Sequence, residues 1–364
     1  MSTSDLQLTA NQMVAPGRGI LAIDESTGTC NKRFEKLGIA PEVGQRRAYR
    51  ELLLTTPKLG EWISGAILYD ETIRQSTAEG RTFVDVMNEA GILPGIKVDT
   101  GTILLSGTAG ELITEGLDGL KRRVEEYRTL GARFAKWRAV ISIGLGTPSQ
   151  RALAANAYTL ARYARICQDG GLVPIVEPEV LPEGSHDLDR CYKATLSTLQ
   201  LVFEALCAQD VDLRAMVLKP NMVTAGSESV AASVSAVAQA TVSVLSETVP
   251  AAVAGIAFLS GGQNDVLATQ HLQAMNELPG RYRPWPLTFS FGRAIQQAAL
   301  VRWAGDPQHR EEAQSIIALR SRCNAAASTG SYAAALEDGS AYDRGEDSAF
   351  ESPLFSTRSM LRSP

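Results

Sequence analysis

Short runs of apolar and β-branched residues, each closed by turn-forming or charged residues, recur down the chain. They alternate with longer stretches whose apolar positions follow a helical period. Eight such runs stand at 19–24, 65–70, 95–99, 135–141, 172–180, 215–221, 255–261 and 287–292, and helical spacing fills 117–130, 151–168, 188–208 and 230–245. The runs are nearly continuous in apolar residues rather than strictly alternating. That is the pattern of strands buried on both faces, in a parallel sheet covered by helices. Strand and helix alternating around eight strands predict an α/β chain, a single (β/α)8 TIM barrel over residues 1–336. A tail over 337–364, rich in Gly, Ser, Asp and Glu before Leu354 and Phe355, is expected to be mobile. A doubly wound open sheet is the competing fold. It favours a Gly-x-Gly-x-x-Gly turn after the first strand, and Ala22-Ile23-Asp24-Glu25-Ser26 is not one.

In such a barrel the chemistry sits where the strands end and the βα loops converge. Read to their ends, the runs deliver Asp24, Asp70, Lys97, Lys136 with Arg138, Glu177 with Glu179, Lys219, Ser260 with Gly261, and Ser290 with Arg293. Charged groups inside apolar strands are expensive unless paired. Any one of them alone is explained as well by a solvated strand end; together they point to one shared pocket. Trp137, between Lys136 and Arg138, is aimed by alternation away from that pocket into the layer between barrel and helices.

Three strand-end lysines in one cavity suggest carbonyl chemistry. A lysine becomes a nucleophile when burial or a neighbouring cation leaves it as neutral amine, so a Schiff base follows naturally. Glu177 and Glu179, two residues apart on one strand, face the same side and suit proton donation and acceptance around an imine; alternatively, one is only an ion-pair partner. The last two runs end in Ser260-Gly261-Gly262 and Ser290-Phe291-Gly292-Arg293, where exposed backbone N–H groups and a guanidinium suit a phosphate. A Ser-Gly-Gly triplet is by itself an ordinary turn, and only its position argues for an anion site.

Composition narrows the remaining classes. With 45% hydrophobic and 21% charged residues, the chain has what a folded core needs. A net charge of -5 with interspersed signs offers no extended positive field for nucleic acid or an anionic membrane. The apolar stretches stop far short of the roughly 20 residues a membrane span requires. The first ten residues show neither a secretory signal nor an Arg-rich leader, which predicts a cytoplasmic protein, or a plastid one had a leader been removed. Five scattered cysteines without a Cys-x-x-Cys pair read as reduced thiols, and His186, His271 and His309 lie away from the strand ends, in surface or capping positions. No catalytic metal is expected.

The segments Ile20-Leu21-Ala22-Ile23-Asp24-Glu25-Ser26-Thr27-Gly28, Gly95-Ile96-Lys97-Val98-Asp99, Phe134-Ala135-Lys136-Trp137-Arg138, Ile175-Val176-Glu177-Pro178-Glu179, Leu218-Lys219-Pro220-Asn221-Met222, Phe258-Leu259-Ser260-Gly261-Gly262-Gln263 and Thr288-Phe289-Ser290-Phe291-Gly292-Arg293 resemble, in order, the motif series of the class I fructose-bisphosphate aldolases. The resemblance runs from about residue 10 to about residue 335. It implies reversible cleavage of fructose 1,6-bisphosphate to dihydroxyacetone phosphate and glyceraldehyde 3-phosphate through an imine on Lys219, without metal or other cofactor. Sedoheptulose 1,7-bisphosphate is a possible further substrate. Carried over by motif, Glu177 is the acid/base of carbinolamine formation and dehydration. Asp24 handles the C4 hydroxyl proton, Lys136 stabilises charge and Glu179 supports the lysine network. One phosphate falls to Ser260, Gly261, Ser290, Gly292 and Arg293, the other to Ser26, Thr29, Arg33, Lys97 and Arg138. The resemblance also implies a homotetramer and phosphorylated sugars as partners.

Two departures stand out. Thr100 occupies a place where the family usually has a lysine, and the chain ends Arg362-Ser363-Pro364 where the family commonly has a tyrosine that assists proton transfer at the enamine. Tyr342 lies in the tail but is by default an exposed residue. A pyridoxal-phosphate enzyme is the competing cofactor reading, weakened by the pair of phosphate sites. A non-catalytic binding or assembly protein on the same scaffold is the other alternative. It leaves unexplained why three costly lysines should be kept.

Overall fold

Each of the eight apolar runs is a strand in the computed structural model, which describes residues 3–280 and 283–337. The strands are β1 (Gly19–Ala22), β2 (Ile63–Leu68), β3 (Leu93–Lys97), β6 (Phe134–Ile141), β7 (Val173–Val180), β8 (Val217–Leu218), β9 (Gly255–Phe258) and β10 (Leu287–Phe291). They pair in parallel and close on themselves, β10 returning to β1 through Ile20↔Ser290 and Leu21↔Phe291. Closure leaves no strand edge unpaired and puts every strand end on one rim.

The strand residues explain this arrangement. β2 and β7 are buried along their whole length, as strands covered by helices must be. The expected helices are present as Leu120–Thr129, Gln150–Asp169, Leu188–Ala208 and Val234–Thr248. Ser149, Asp187 and Ser233 start the last three, each side chain accepting a hydrogen bond from the N–H three residues on. Trp137 is fully buried and stacks on Tyr163, with ring centroids 5.5 Å apart, in the layer between barrel and helices.

A hairpin of β4 (Gly101–Leu104) and β5 (Leu112–Glu115) lies between β3 and β6 and is not foreshadowed by the apolar pattern. Its residues are mostly half-buried or exposed, so no buried face imposes a hydrophobic period on it.

The N-terminal end of the barrel is shut. The helix Thr3–Met13 lays Leu6, Ala10 and Met13 across it, against Val14, Ile20, Phe134, Val173, Ile175, Ala215 and Val217. Phe134 fits because β2 and β3 offer glycines: a Cβ at Gly95 would stand 2.1 Å from its ring and one at Gly65 2.9 Å. The compact unit ends at Tyr332, and the described residues after it form a short turn at Ala334–Leu336. The expected tail, with Tyr342, lies outside the described residues.

Candidate active site

At the other end of the same strands, apolar residues give way to charge. Lys136 extends from β6 into the barrel mouth, its Nζ 2.7 Å from Asp24 Oδ2 and 3.1 Å from Glu177 Oε2. The other oxygen of Glu177, Oε1, lies 3.1 Å from Nζ of Lys219. Asp24, Lys136, Glu177 and Lys219 thus form one continuous chain, with no side chain in it more than 12% exposed. Strand pairing sets this up: Lys97 is the register partner of Lys136, Arg138 that of Glu177, and the Lys219 N–H donates to the Val176 carbonyl at 2.8 Å.

Burial opposes charge on each of these groups, and the neighbours decide the result. Burial pushes the Asp24 carboxyl up, but Lys136, Lys219 and Lys97 outweigh it and bring it to about 2. Glu177 is likewise pushed up by burial and carried below its ordinary value by Lys136, Lys219 and Arg138. Lys136, pulled down by burial, ends above its ordinary value because Asp24 and Glu177 hold its proton. Its position between two carboxylates favours the ammonium form. Glu179 goes the other way: burial raises its carboxyl despite the ion pair with Arg138.

The three lysines are thereby distinguished. Lys136 lies between two carboxylates. Lys97 is held by Asp99, at 2.5 Å from Oδ1 and 2.8 Å from the backbone carbonyl. Lys219 shares a carboxylate already paired with Lys136.

Beside this chain, Ser26 caps the helix Thr27–Glu35, its Oγ accepting from the Thr29 N–H and lying 3.1 Å from the Thr29 hydroxyl. Arg33, from the same helix, pairs with Glu25, and Arg50 approaches the other oxygen of Glu25 at 3.0 Å. Across the mouth, Ser260 leads into Gly261 and Gly262, both at positive φ (44° and 76°), a conformation that favours glycine. Ser290 is buried, with its Oγ unpartnered, and Gly292 leads into Arg293, the exposed first residue of the helix Arg293–Trp303. Backbone amides and a guanidinium, the donor types that bind anions, meet at this part of the rim.

Three expectations fail on geometry. Asp70 does not join the pocket: β2 ends at Leu68, and Asp70 starts a short helix, accepting from Tyr127 and pairing with Arg74 at 48% side-chain exposure. His186 and His271 are buried, not at the surface. His271 Nδ1 contacts Gln263 Oε1 at 2.5 Å, behind the Ser260–Gly262 turn, and burial lowers its imidazole to about 4. Sequence reasoning also missed Asp99, Glu25, Arg50 and Gln296. Glu25 stands inside a recognised motif, but Gln296 carried no local signal at all. Among the described residues no group of His, Cys, Asp or Glu could hold a metal ion, and no helix is long and apolar enough to cross a membrane.

Asp24, Lys136, Glu177 and Lys219 form an unbroken series of acid–lysine contacts, the arrangement that proton transfer around a carbonyl needs. Known proteins resemble this chain over most of its length. A family model described as fructose-bisphosphate aldolase class-I matches residues 5–350. A probable fructose-bisphosphate aldolase class 1 of Xanthomonas axonopodis pv. citri is 55% identical over 334 residues, covering 91% of this chain and 99% of that protein. The cytosolic fructose-bisphosphate aldolase 4 of Arabidopsis thaliana is 51% identical over 331 residues, with 91% and 84% covered. The solved fructose-bisphosphate aldolase of Plasmodium falciparum, in complex with TRAP and a small-molecule inhibitor, superposes with a TM-score of 0.89 at 44% identity over 91% of this chain and 95% of that one.

Proposed function

The chain belongs to the class I fructose-bisphosphate aldolase family, and from that premise we propose that Lys219 is the residue through which it acts. The protein is a lyase of glycolysis that cleaves fructose 1,6-bisphosphate through a lysine Schiff base and without a metal. The observation that favours Lys219 is the single carboxylate it shares with Lys136, whose own proton is locked by two acids.

In this mechanism the Lys219 ammonium passes a proton to Glu177 across 3.1 Å and the freed amine attacks C2 of the ketose. The nitrogen's second proton moves to the carbinolamine oxygen, and Glu177 returns its proton to that hydroxyl as water leaves and the iminium forms. Lys136 stays charged throughout, offsetting the negative charge of Asp24 and Glu177. Asp24 then accepts the C4 hydroxyl proton, the C3–C4 bond breaks, the aldehyde departs and the bonding pair stays as the enamine of Lys219. The proton that Asp24 took is delivered, directly or through solvent, to C3, which restores the iminium and the Asp24 carboxylate, and addition of water then releases dihydroxyacetone phosphate and the Lys219 ammonium. Glu179 and Arg138 brace the neighbouring strand positions.

The C1 phosphate is assigned to Ser260, Gly261, Ser290, Gly292 and Arg293, next to the imine strand. The C6 phosphate is assigned to Ser26, Thr29, Arg33, Lys97 and Arg138, on the Asp24 side. Support for both lies in the backbone turn at Gly261 and in the cations gathered on the β1 side.

The decisive experiment is borohydride trapping with dihydroxyacetone phosphate, followed by peptide mapping, in wild type and Lys219→Ala with a chelator present. The expected adduct is on Lys219, absent from the variant and indifferent to chelation; an adduct on Lys136 or Lys97 overturns the assignment. Homotetrameric assembly and a cytosolic location belong to this proposal, supported by family membership and by the relative named cytosolic. Sedimentation equilibrium should return four copies of the 39.0 kDa chain.

A further inference from the structure

We propose that Gln296 is a positioning residue that sets the separation of the two phosphate subsites and thereby the preference for a bisphosphate over a monophosphate. The inference rests on the assignment of the subsites given above.

Gln296 is 0% exposed, and its amide is saturated. Its Nε2 donates to the Ala22 carbonyl and to Glu25 Oε1, both at 2.8 Å. Its Oε1 accepts from the Tyr49 hydroxyl at 2.7 Å and from Arg33 Nη1 at 3.2 Å. An amide side chain has two donor hydrogens and two acceptor lone pairs, so all four valences are spent here. A glutamine that merely fills core space needs partners, but not these. Ala22 is the last residue of β1, two before Asp24, and Arg33 belongs to the C6-phosphate side.

Gln296 itself lies in the first turn of the helix that Arg293 opens, with its N–H bonded to the Gly292 carbonyl. The approach is close: a Cβ on Gly292 would stand 3.2 Å from the Ala22 carbonyl oxygen and 3.6 Å from Gln296 Nε2. One side chain therefore fastens the element bearing Arg293 to the strand end bearing Asp24 and to Arg33. Glu25 accepts from the same Nη1 of Arg33, and Gln297 Oε1 accepts from Nη2 at 3.1 Å, so the guanidinium is aimed by a carboxylate and two amides together. A substrate with one phosphate uses one subsite and is indifferent to the spacing; a bisphosphate must span both.

The test compares cleavage of fructose 1,6-bisphosphate with fructose 1-phosphate in wild type, Gln296→Met and Tyr49→Phe. Methionine keeps length and volume but none of the hydrogen bonds; phenylalanine removes one donor while leaving the ring stacked on Trp303 at 5.5 Å. In Gln296→Met, KM for the bisphosphate should rise about tenfold, the worth of a lost hydrogen bond to a charged group, while fructose 1-phosphate serves as reference and changes about twofold or less. Tyr49→Phe should shift the ratio in the same direction by about two- to threefold. An equal loss on both substrates, or an unchanged ratio in both variants, overturns the proposal. Should Gln296→Met not fold, the ratio in Tyr49→Phe decides. Borohydride trapping of dihydroxyacetone phosphate on Lys219 is expected in every variant. Its failure in wild type would instead overturn the imine assignment, so the two ideas fall separately.

Discussion

The two ends of this barrel are made from the same strands and have opposite chemistry. β6 begins with Phe134, sealed under the N-terminal helix, and two residues later carries Lys136 between two carboxylates. β7 begins with Val173 and Ile175 in the apolar plug and continues to Glu177 and Glu179. The closed end is cheap to fold, because apolar side chains leave water for each other. The open end is costly, because each buried charge must be offset by another. The lesson is that the strands' first halves supply the stability that their second halves consume, so the two ends should respond differently to mutation.

The sharpest way to break the contrast is at the open end. If Lys219 forms the imine as proposed, Lys219→Ala should lower kcat by about ten-thousandfold or more while moving the thermal midpoint by only a few degrees. Steady-state cleavage and calorimetry on one preparation check this, and a collapse of stability would mean that Lys219 is structural.

The reverse variant belongs to the closed end. Phe134→Ala should cost about 3–5 kcal/mol of unfolding free energy, as large-to-small core changes do, with turnover per trapped active site changed about twofold or less. Denaturant unfolding combined with active-site titration by borohydride separates the two readouts.

A third comparison uses pH. Asp24 has a folded value of about 2 against 3.8 for a free carboxyl. A depressed carboxylate contributes stability that is present above its unfolded value and lost as pH falls through its folded one. About 2 kcal/mol should therefore disappear between about pH 4 and about pH 2, and Asp24→Asn should flatten that part of the stability curve. An equally steep curve in the variant would remove Asp24 as the source.

The smallest effect near neutral pH is expected behind the Ser260–Gly262 turn. Buried His271 is neutral in the fold, titrating at about 4 against 6.5 ordinarily. Below the ordinary value the unfolded chain gains a proton that the folded one refuses, so stability declines as pH drops from 6.5 towards 4, by about 1 kcal/mol near pH 5.5. His271→Asn should lessen that decline, in a pH window distinct from that of Asp24; unfolding curves at pH 7 and about pH 5.5 measure it.

Much of this was open to a reader of the sequence alone. All eight strands and the lysines and acids at their ends follow from local pattern, because a strand buried on both faces must be continuously apolar and a charge inside it is conspicuous. The family was recognisable on the same segments, since catalytic motifs sit at strand ends and are short. What local pattern could not convey was which strand-end groups meet. Asp70 had the same credentials as Asp24, yet the chain turns at Tyr69 into a helix and sends it to Arg74 and Tyr127. By local pattern the three lysines were equivalent, and only the resemblance told Lys219 from Lys136; the register of β6 and β7 puts Lys136, and not Lys219, between two acids. The hairpin β4–β5 escaped notice because nothing buries it.

Sequence by itself thus determined the strands, their order and the kind of chemistry at their ends, all consequences of hydrophobic period and of the expense of burying charge. The tertiary structure alone decided the partners. Gln296 and Glu25 stand 271 residues apart and meet only because the barrel closes β10 against β1. No periodicity encodes such a contact, since its free energy comes from the closure of the whole sheet and not from the residues beside it in the chain.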